Sequence, residues 1–252
     1  MKRFLILSIA FLLLSGGEVC AQQMKWKLLA PRILKQGFLD PNGVFEFGAI
    51  DVKGKTILAG WTNVVLSTDE GTTWTNLVNA PVTAPDYVYD VDIYDDNTFA
   101  LITNESGAFL TSDRGVSWTK LMDVFPSAHS IEFDGAPDRI AMIISDVDYV
   151  ILNLNGPTFS GQIAGTSVLS DIQIDASGAL RIIGYYSDVT GLHACFATSP
   201  DHGASWTLNK TTLPCDNYTF ITDPVDANLM TVINEDWAVL QNLFSEIYQT
   251  TD

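Results

Sequence analysis

One octet occurs three times in this chain of 252 residues: STDEGTTW at 67–74, TSDRGVSW at 111–118 and SPDHGASW at 199–206. Each reads Ser/Thr-x-Asp-x-Gly-x-Ser/Thr-Trp. The starts are 44 and 88 residues apart, so the second gap is twice the first and a degenerate copy is expected between them. LNLNGPTF at 152–159 fills that place. It keeps Gly156, Thr158 and an aromatic, Phe159, but has Leu154 where the others have Asp. A period of 40 to 50 residues belongs to propellers and solenoids.

The text around each octet repeats as well. An apolar run precedes it (NVVL, GAFL, DYVI, ACFAT), and a second precedes that (KTILAGW, TFALIT, RIAMII, LRIIGYY). Before these comes a segment ending in a turn aspartate (YDVDIYDD, SIEFDG, DIQIDA), and after each intact octet a short stretch runs toward a proline. Four strands per unit, with Gly, Asn and Asp between them, predict an all-β chain. Repeated at this period, they predict a β-propeller of about five four-stranded blades, at approximately 44–80, 87–125, 129–165, 168–214 and 218–252. The segment 24–30 resembles an outer strand without its octet and is a candidate closing strand. Thr250-Thr251-Asp252 match the opening of a further octet. Two readings therefore stand: the front part of a longer propeller, which is preferred, or a five-bladed ring closed by 24–30.

The first 21 residues have a basic start, a short apolar run and small residues before Ala21, the pattern of a secretory signal peptide. Cleavage near Ala21 would make the protein secreted, periplasmic or exposed at the cell surface. No later run is long enough for a transmembrane anchor. Removal of 1–21 leaves 11 of the 13 basic and 29 of the 30 acidic side chains. Such a surface repels nucleic acid, so no nucleic-acid partner is expected. Cys195 and Cys215 remain, and in an oxidising compartment they are candidates for pairing. Their spacing leaves free thiols equally open.

The octet resembles the Asp-box of the bacterial neuraminidase repeat superfamily. That superfamily includes sialidases, xyloglucanase-type glycosidases, sortilin-like receptors and the photosystem II assembly factor. The resemblance covers roughly residues 24–252 and implies a propeller in which each box is the turn between the third and fourth strands. Physically, Gly71, Gly115 and Gly203 suit a positive φ. Asp69, Asp113 and Asp201 suit acceptance of turn N–H groups, with Ser67, Thr111 and Ser199 opening the motif. Trp74, Trp118 and Trp206 suit packing between blades. One carboxylate per turn is thin for a hard cation, so the boxes are expected to be framework and no metal or other cofactor is expected.

Ligands of propellers of this kind sit at the face opposite the boxes. Because strands alternate in direction, Asp95, Asp134, Asp175 and Asp223 fall on the box face as turn formers. The opposite face should carry Trp61, Asn104, Glu105, Asp146, Asp148, the loop YYSDVTGLH and the loop NEDWAVLQN, with Tyr87, His129 and Asn217 in the linkers. The ligand-binding candidates are Trp61, Tyr185, Tyr186, Asp188, Glu235, Asp236 and Trp237, aromatics beside carboxylates as a sugar or peptide groove needs. His129 and His193 are isolated, so neither forms a metal site by spacing.

A sialidase clamps its substrate carboxylate with three arginines. The mature chain has four, Arg32, Arg114, Arg139 and Arg181, and the last three fall in or beside the box face. A convergent triad is therefore not expected. A glycosidase with two facing carboxylates stays open as the alternative, with Asp146, Asp148, Asp188, Glu235 and Asp236 as members and no pair singled out. The leading expectation is an exported, non-catalytic propeller that binds or scaffolds a glycan or protein partner through the face opposite the boxes.

Overall fold

The computed structural model describes residues 49–123 and 128–214, and the backbone of three further strands between 218 and 249. Residues 1–21, the segment 24–30, Arg32, Cys215, Asn217, Asp223, Glu235, Asp236, Trp237 and the end at 250–252 lie outside the described residues.

Among the described residues nineteen strands form five antiparallel meanders. The first holds β1 (Ala49–Lys53), β2 (Thr56–Gly60), β3 (Val64–Ser67) and β4 (Thr75–Asn76). The second holds β5 (Val88–Ile93), β6 (Phe99–Thr103), β7 (Ala108–Thr111) and β8 (Thr119–Met122). The third holds β9 (Ser130–Ala136), β10 (Arg139–Ile143), β11 (Asp148–Asn153) and β12 (Phe159–Gln162). The fourth holds β13 (Val168–Ile174), β14 (Leu180–Asp188), β15 (Gly191–Ser199) and β16 (Thr207–Pro214). The fifth has three described strands, β17 (Tyr218–Thr222), β18 (Met230–Asn234) and β19 (Ile247–Gln249).

In each complete sheet the strands lie in sequence order, and the first strands of successive sheets touch one another. The first strands therefore line a common axis, and the sheets radiate from it as blades. The described residues do not close the ring. Burial follows the same radial order. TILAG and FALIT, the second strands of blades one and two, are buried at every position, whereas Thr75 and Asn76 at the outer edge are exposed. A strand covered on both faces needs an unbroken apolar run; one at an edge does not.

Among the described residues three apolar clusters hold neighbouring blades together. One joins Leu58, Val64, Leu66 and Leu77 of the first blade to Val91, Ile93, Phe99 and Leu101 of the second. The next joins Ile102 and Ala108 to Ile131, Phe133 and Met142, and the third joins Ile143, Tyr149 and Ile151 to Leu169, Ile172 and Ile182. Each fully buried Leu, Ile or Phe contributes roughly 1.5–3 kcal/mol. The core thus lies between blades, so a single repeat could not bury its faces alone.

The hairpin registers repeat with the sequence. Ser67 pairs with Ile57, Thr111 with Phe99, and Ser199 with Leu180, so the octet's first residue always meets the start of the second strand. Leu152, at the head of the degenerate copy, pairs with Ile140 in the same way.

Candidate functional site

The three octets are third-to-fourth-strand turns and all lie at one end of the blades, with the first-to-second-strand turns. Their bonding is nearly identical. The hydroxyl of Thr111 donates to Asp113 Oδ1 at 2.7 Å and accepts the Gly115 N–H at 2.9 Å. Asp113 also accepts the N–H and hydroxyl of Ser117, at 2.8 and 2.6 Å. Ser67–Asp69–Gly71–Thr73 and Ser199–Asp201–Gly203–Ser205 repeat this pattern. The hydrogen bonds from Ser117 and Thr111 hold Asp113 down at about 2, and Asp69 and Asp201 are lowered by the equivalent bonds.

Each octet glycine follows another left-handed residue: Glu70, Arg114 and His202 have φ near +60°. Gly203 has φ +85°, and a Cβ there would lie 2.4 Å from Ile151 Cγ1 in the preceding blade. The glycine thus serves both the turn and close packing between blades. Trp118 packs on the first inter-blade cluster, Trp206 packs on the third beside the Tyr149 ring at 5.1 Å, and Trp74 is buried against Ile57, Ala59 and Val65. In the degenerate turn the ladder runs on, with Leu154 N–H donating to the Asp138 carbonyl at 2.9 Å.

Charged groups on this octet face are engaged within the protein. Asp134 is fully buried and meets His202 Nδ1 at 2.9 Å, with Arg139 donating to its main-chain carbonyl. Asp175 accepts Arg181 Nε at 2.8 Å together with the Ser177 and Ala179 N–H groups. Asp95 caps Asn97 and Thr98, and Arg114 donates to the Asp96 carbonyl and Asn97 side chain. All three described arginines are therefore held here, away from the opposite face.

The opposite face is built from second-to-third-strand connections and blade-to-blade linkers. Trp61 follows β2, and its carbonyl accepts Val88 N–H at 2.8 Å, fastening the first blade to the start of β5. Its ring lies 4.4 Å from that of Tyr87, tilted by 31°, and the Tyr87 ring is 5.0 Å from Tyr89 at 64°. All three are half-buried. Sequence reasoning placed Trp61 and Tyr87 here but overlooked Tyr89 and Asp86. Asp86 is buried and accepts N–H groups from Tyr87, Glu105 and Ser106 at 2.9–3.0 Å. Burial pushes its carboxyl up, but the bonds from Ser106 and Glu105 outweigh that and hold it below the usual value.

The fourth blade corrects the expected YYSDVTGLH loop. β14 and β15 continue to a tight connection at Val189 and Thr190, so Tyr185 and Tyr186 lie within a strand. Both residues are buried, at 8% exposure, on opposite faces of β14. The Tyr186 hydroxyl donates to the Thr211 carbonyl at 2.7 Å, and Lys210 Nζ sits 4.5 Å from its ring centre. Neither tyrosine is a platform at the face. Asp188 stays near the hairpin tip, bound by Thr190 and 3.3 Å from His193, and those Thr190 bonds lower its carboxyl. Asp148 is likewise lowered by Ser145 and Gln162. A glycosidase acid needs the opposite shift. Cys195 in β15 is a free, buried thiol, pushed up to about 11 by that burial.

A row of carboxyls runs along the axis, where sequence reasoning placed no site. Asp51, Asp90, Asp92, Glu132 and Asp171 project from four successive first strands. Several act as staples to a neighbouring blade: Asp51 and Asp92 Oδ2 accept Ile93 and Phe133 N–H, Asp90 accepts Ile131 N–H, and Asp171 accepts the Ser130 hydroxyl. Burial first, then the Asp51 charge, raises Asp92 to about 7; burial, partly offset by Ser130 and Ile172, raises Asp171 to about 6. Burial and neighbouring acids also push Asp90 and Glu132 well up. Among the described residues none of the five forms an ion pair, and no group of His, Cys, Asp or Glu is arranged to hold a metal. No described helix is long and apolar enough to cross a membrane.

No family model matches the chain, and no curated protein matches it in sequence. Solved structures do match in shape. YCF48 from Cyanidioschyzon merolae is similar over 75% of this chain and 64% of its own, at 14% identity and TM-score 0.53. A YCF48 bound to D1 peptide matches 76% of this chain and 61% of its own, at 14% identity and TM-score 0.52. Kuenenia stuttgartiensis hydrazine synthase matches 77% of this chain and 66% of its own, at 12% identity and TM-score 0.55. The chain thus spans somewhat under two thirds of the YCF48 chains. At these identities the likeness is one of fold, and together with the strand order it establishes a β-propeller of four-stranded blades.

Proposed function

We propose that this is an exported, non-catalytic propeller of the Asp-box type that binds a protein or glycan partner through the face opposite the octets. The observation that carries the reading is the contrast between the two faces. On the octet face the described arginines and turn aspartates are bound to one another and to the backbone. On the other face Trp61, Tyr87 and Tyr89 form a contiguous, half-exposed aromatic run, and Asp86 ties the main chain of the exposed Glu105 to that of Tyr87. Aromatic surface with a few placed polar groups is what binding sites are made of. The YCF48 bound to D1 peptide supports the protein-partner form of this reading by analogy of fold.

The test is a binding screen of the chain without residues 1–21 against immobilised peptides and glycans, run beside a panel of chromogenic glycosides. The reading expects retention on peptides or glycans, weakened by Trp61→Ala and unchanged by Arg114→Ala, with no glycoside turnover. Turnover that follows the chain through purification overturns the non-catalytic assignment. Retention lost with Arg114→Ala and kept with Trp61→Ala overturns the choice of face.

A further inference from the structure

We infer that Trp61, Tyr87, Tyr89 and Glu105 form a receptor for a lysine or arginine side chain on a peptide segment of a protein partner, an inference that rests on the proposed use of this face. The first observation is geometric. The Trp61 and Tyr87 rings are tilted by 31°, while Tyr87 and Tyr89 meet at 64°, so the cluster presents ring surface in two directions. Aromatic faces carry negative quadrupole charge and attract ammonium and guanidinium groups. The Tyr87 hydroxyl is spent on Tyr89, to which it donates at 3.1 Å.

The second observation is how the cluster is held. Gly60 lets the backbone before Trp61 approach β5; a Cβ there would lie 2.9 Å from Val88 Cβ. Asp86 then binds Tyr87 N–H and Glu105 N–H with the same oxygen, Oδ1. One buried carboxylate therefore ties the main chain of the exposed Glu105 to the main chain of Tyr87. Such preorganisation reduces the ordering cost of binding. The protein's own lysines already show the chemistry: Lys53, Lys120 and Lys210 sit over Tyr94, Phe109 and Tyr186. Among the described residues none serves the Trp61 cluster.

Charge completes the argument. The chain has a formal net charge of −17, and the Asp86 carboxylate directly precedes Tyr87. A cationic side chain gains from this field, whereas an acidic segment is repelled.

The experiment is an NMR titration of the 15N-labelled chain without residues 1–21, with the Trp61 indole N–H assigned by its loss in Trp61→Phe. The probes are Gly-Gly-Lys-Gly-Gly, its Nε-acetyl-lysine form and Gly-Gly-Glu-Gly-Gly. The lysine peptide should shift the Trp61 indole with a millimolar midpoint, and the acetylated and glutamate peptides should leave it in place. Glu105→Gln, a surface change that leaves the fold intact, should weaken the lysine peptide about threefold, and Tyr87→Ala at least fivefold. Equal shifts from the lysine and acetyl-lysine peptides, or no shift at all, overturn the inference. Retention of a neutral glycan by the Trp61 face, with no response to the lysine peptide, overturns it while the proposed use of the face stands.

Discussion

Lowering the pH from 8 to 5 should stabilise this protein. The groups responsible are the axial carboxyls Asp92 and Asp171; Asp51, Asp90 and Glu132 neighbour Asp92, Asp90 and His129 face Asp171, and Lys53 donates to the adjacent Ile93 carbonyl. The ordinary carboxyl value is 3.8; the folded values are about 7 for Asp92 and about 6 for Asp171. With folded values above unfolded ones, the folded state binds protons that the unfolded state does not. The stabilisation is complete below 3.8 and is lost as pH rises through 6 and 7. At a little over 1 kcal/mol per unit, Asp92 gains roughly 3 and Asp171 roughly 1 kcal/mol between pH 8 and pH 5. Protein surrounds these groups, yet their side chains keep some contact with solvent along the axis, so screening reduces the sum to about 2 kcal/mol. For a chain of this size that is an unfolding midpoint about 4–8 °C higher at pH 5. Asp92→Asn, which keeps an acceptor for Phe133 N–H, should raise the midpoint at pH 8 and flatten the profile. Circular dichroism melts at pH 8, 7, 6 and 5 read this directly. A midpoint that falls between pH 8 and 5, or a profile that Asp92→Asn leaves unchanged, refutes the reasoning.

Other consequences concern the octets and the thiol. Thr111→Val keeps the shape but leaves the buried Gly115 N–H without its acceptor, at a cost of about 2 kcal/mol, whereas Thr111→Ser should be near neutral; denaturant melts compare the two. Gly203→Ala adds a methyl against Ile151 at φ +85°, which should destabilise by about 1–3 kcal/mol in the same assay. The Asp113 carboxyl should titrate by 13C NMR near 2, with the Ser117 turn intact at pH 4; a midpoint at 3.8 or above contradicts the bonding described. Cys195 should react with a thiol reagent at pH 8 only as fast as the protein unfolds, because burial keeps it protonated.

The framework was readable because it repeats. A Ser/Thr, an Asp and a Gly at fixed spacing specify one turn by local hydrogen bonding, and the flanking apolar runs set how the strands pair. The blades of the first four units follow from that. The fourth-blade tyrosines misled for the opposite reason: Ser, Asp, Thr and Gly beside them signal a loop, while the pairing of Tyr186 with His193 comes from a long register the local residues do not announce. The axial acids were hidden by their alternation. An aspartate at every second position of a strand reads as a solvent-facing edge, as in VYDVDI, and only the radial arrangement of blades turns that face inward. Asp86 was hidden differently, since nothing in a linker marks the one carboxylate that will cap the next hairpin.

The central claim is a division of labour: octets build the blades, and the opposite face meets the partner. The most direct test measures unfolding midpoint and lysine-peptide affinity on the same two variants, Ser199→Ala in an octet and Trp61→Ala on the opposite face. Ser199 bonds Asp201 and Gly203 within its turn, so Ser199→Ala should lower the midpoint and leave the affinity of the folded protein unchanged. Trp61→Ala should abolish the affinity with a smaller change in midpoint. Loss of affinity in folded Ser199→Ala, with binding intact in Trp61→Ala, would contradict the account.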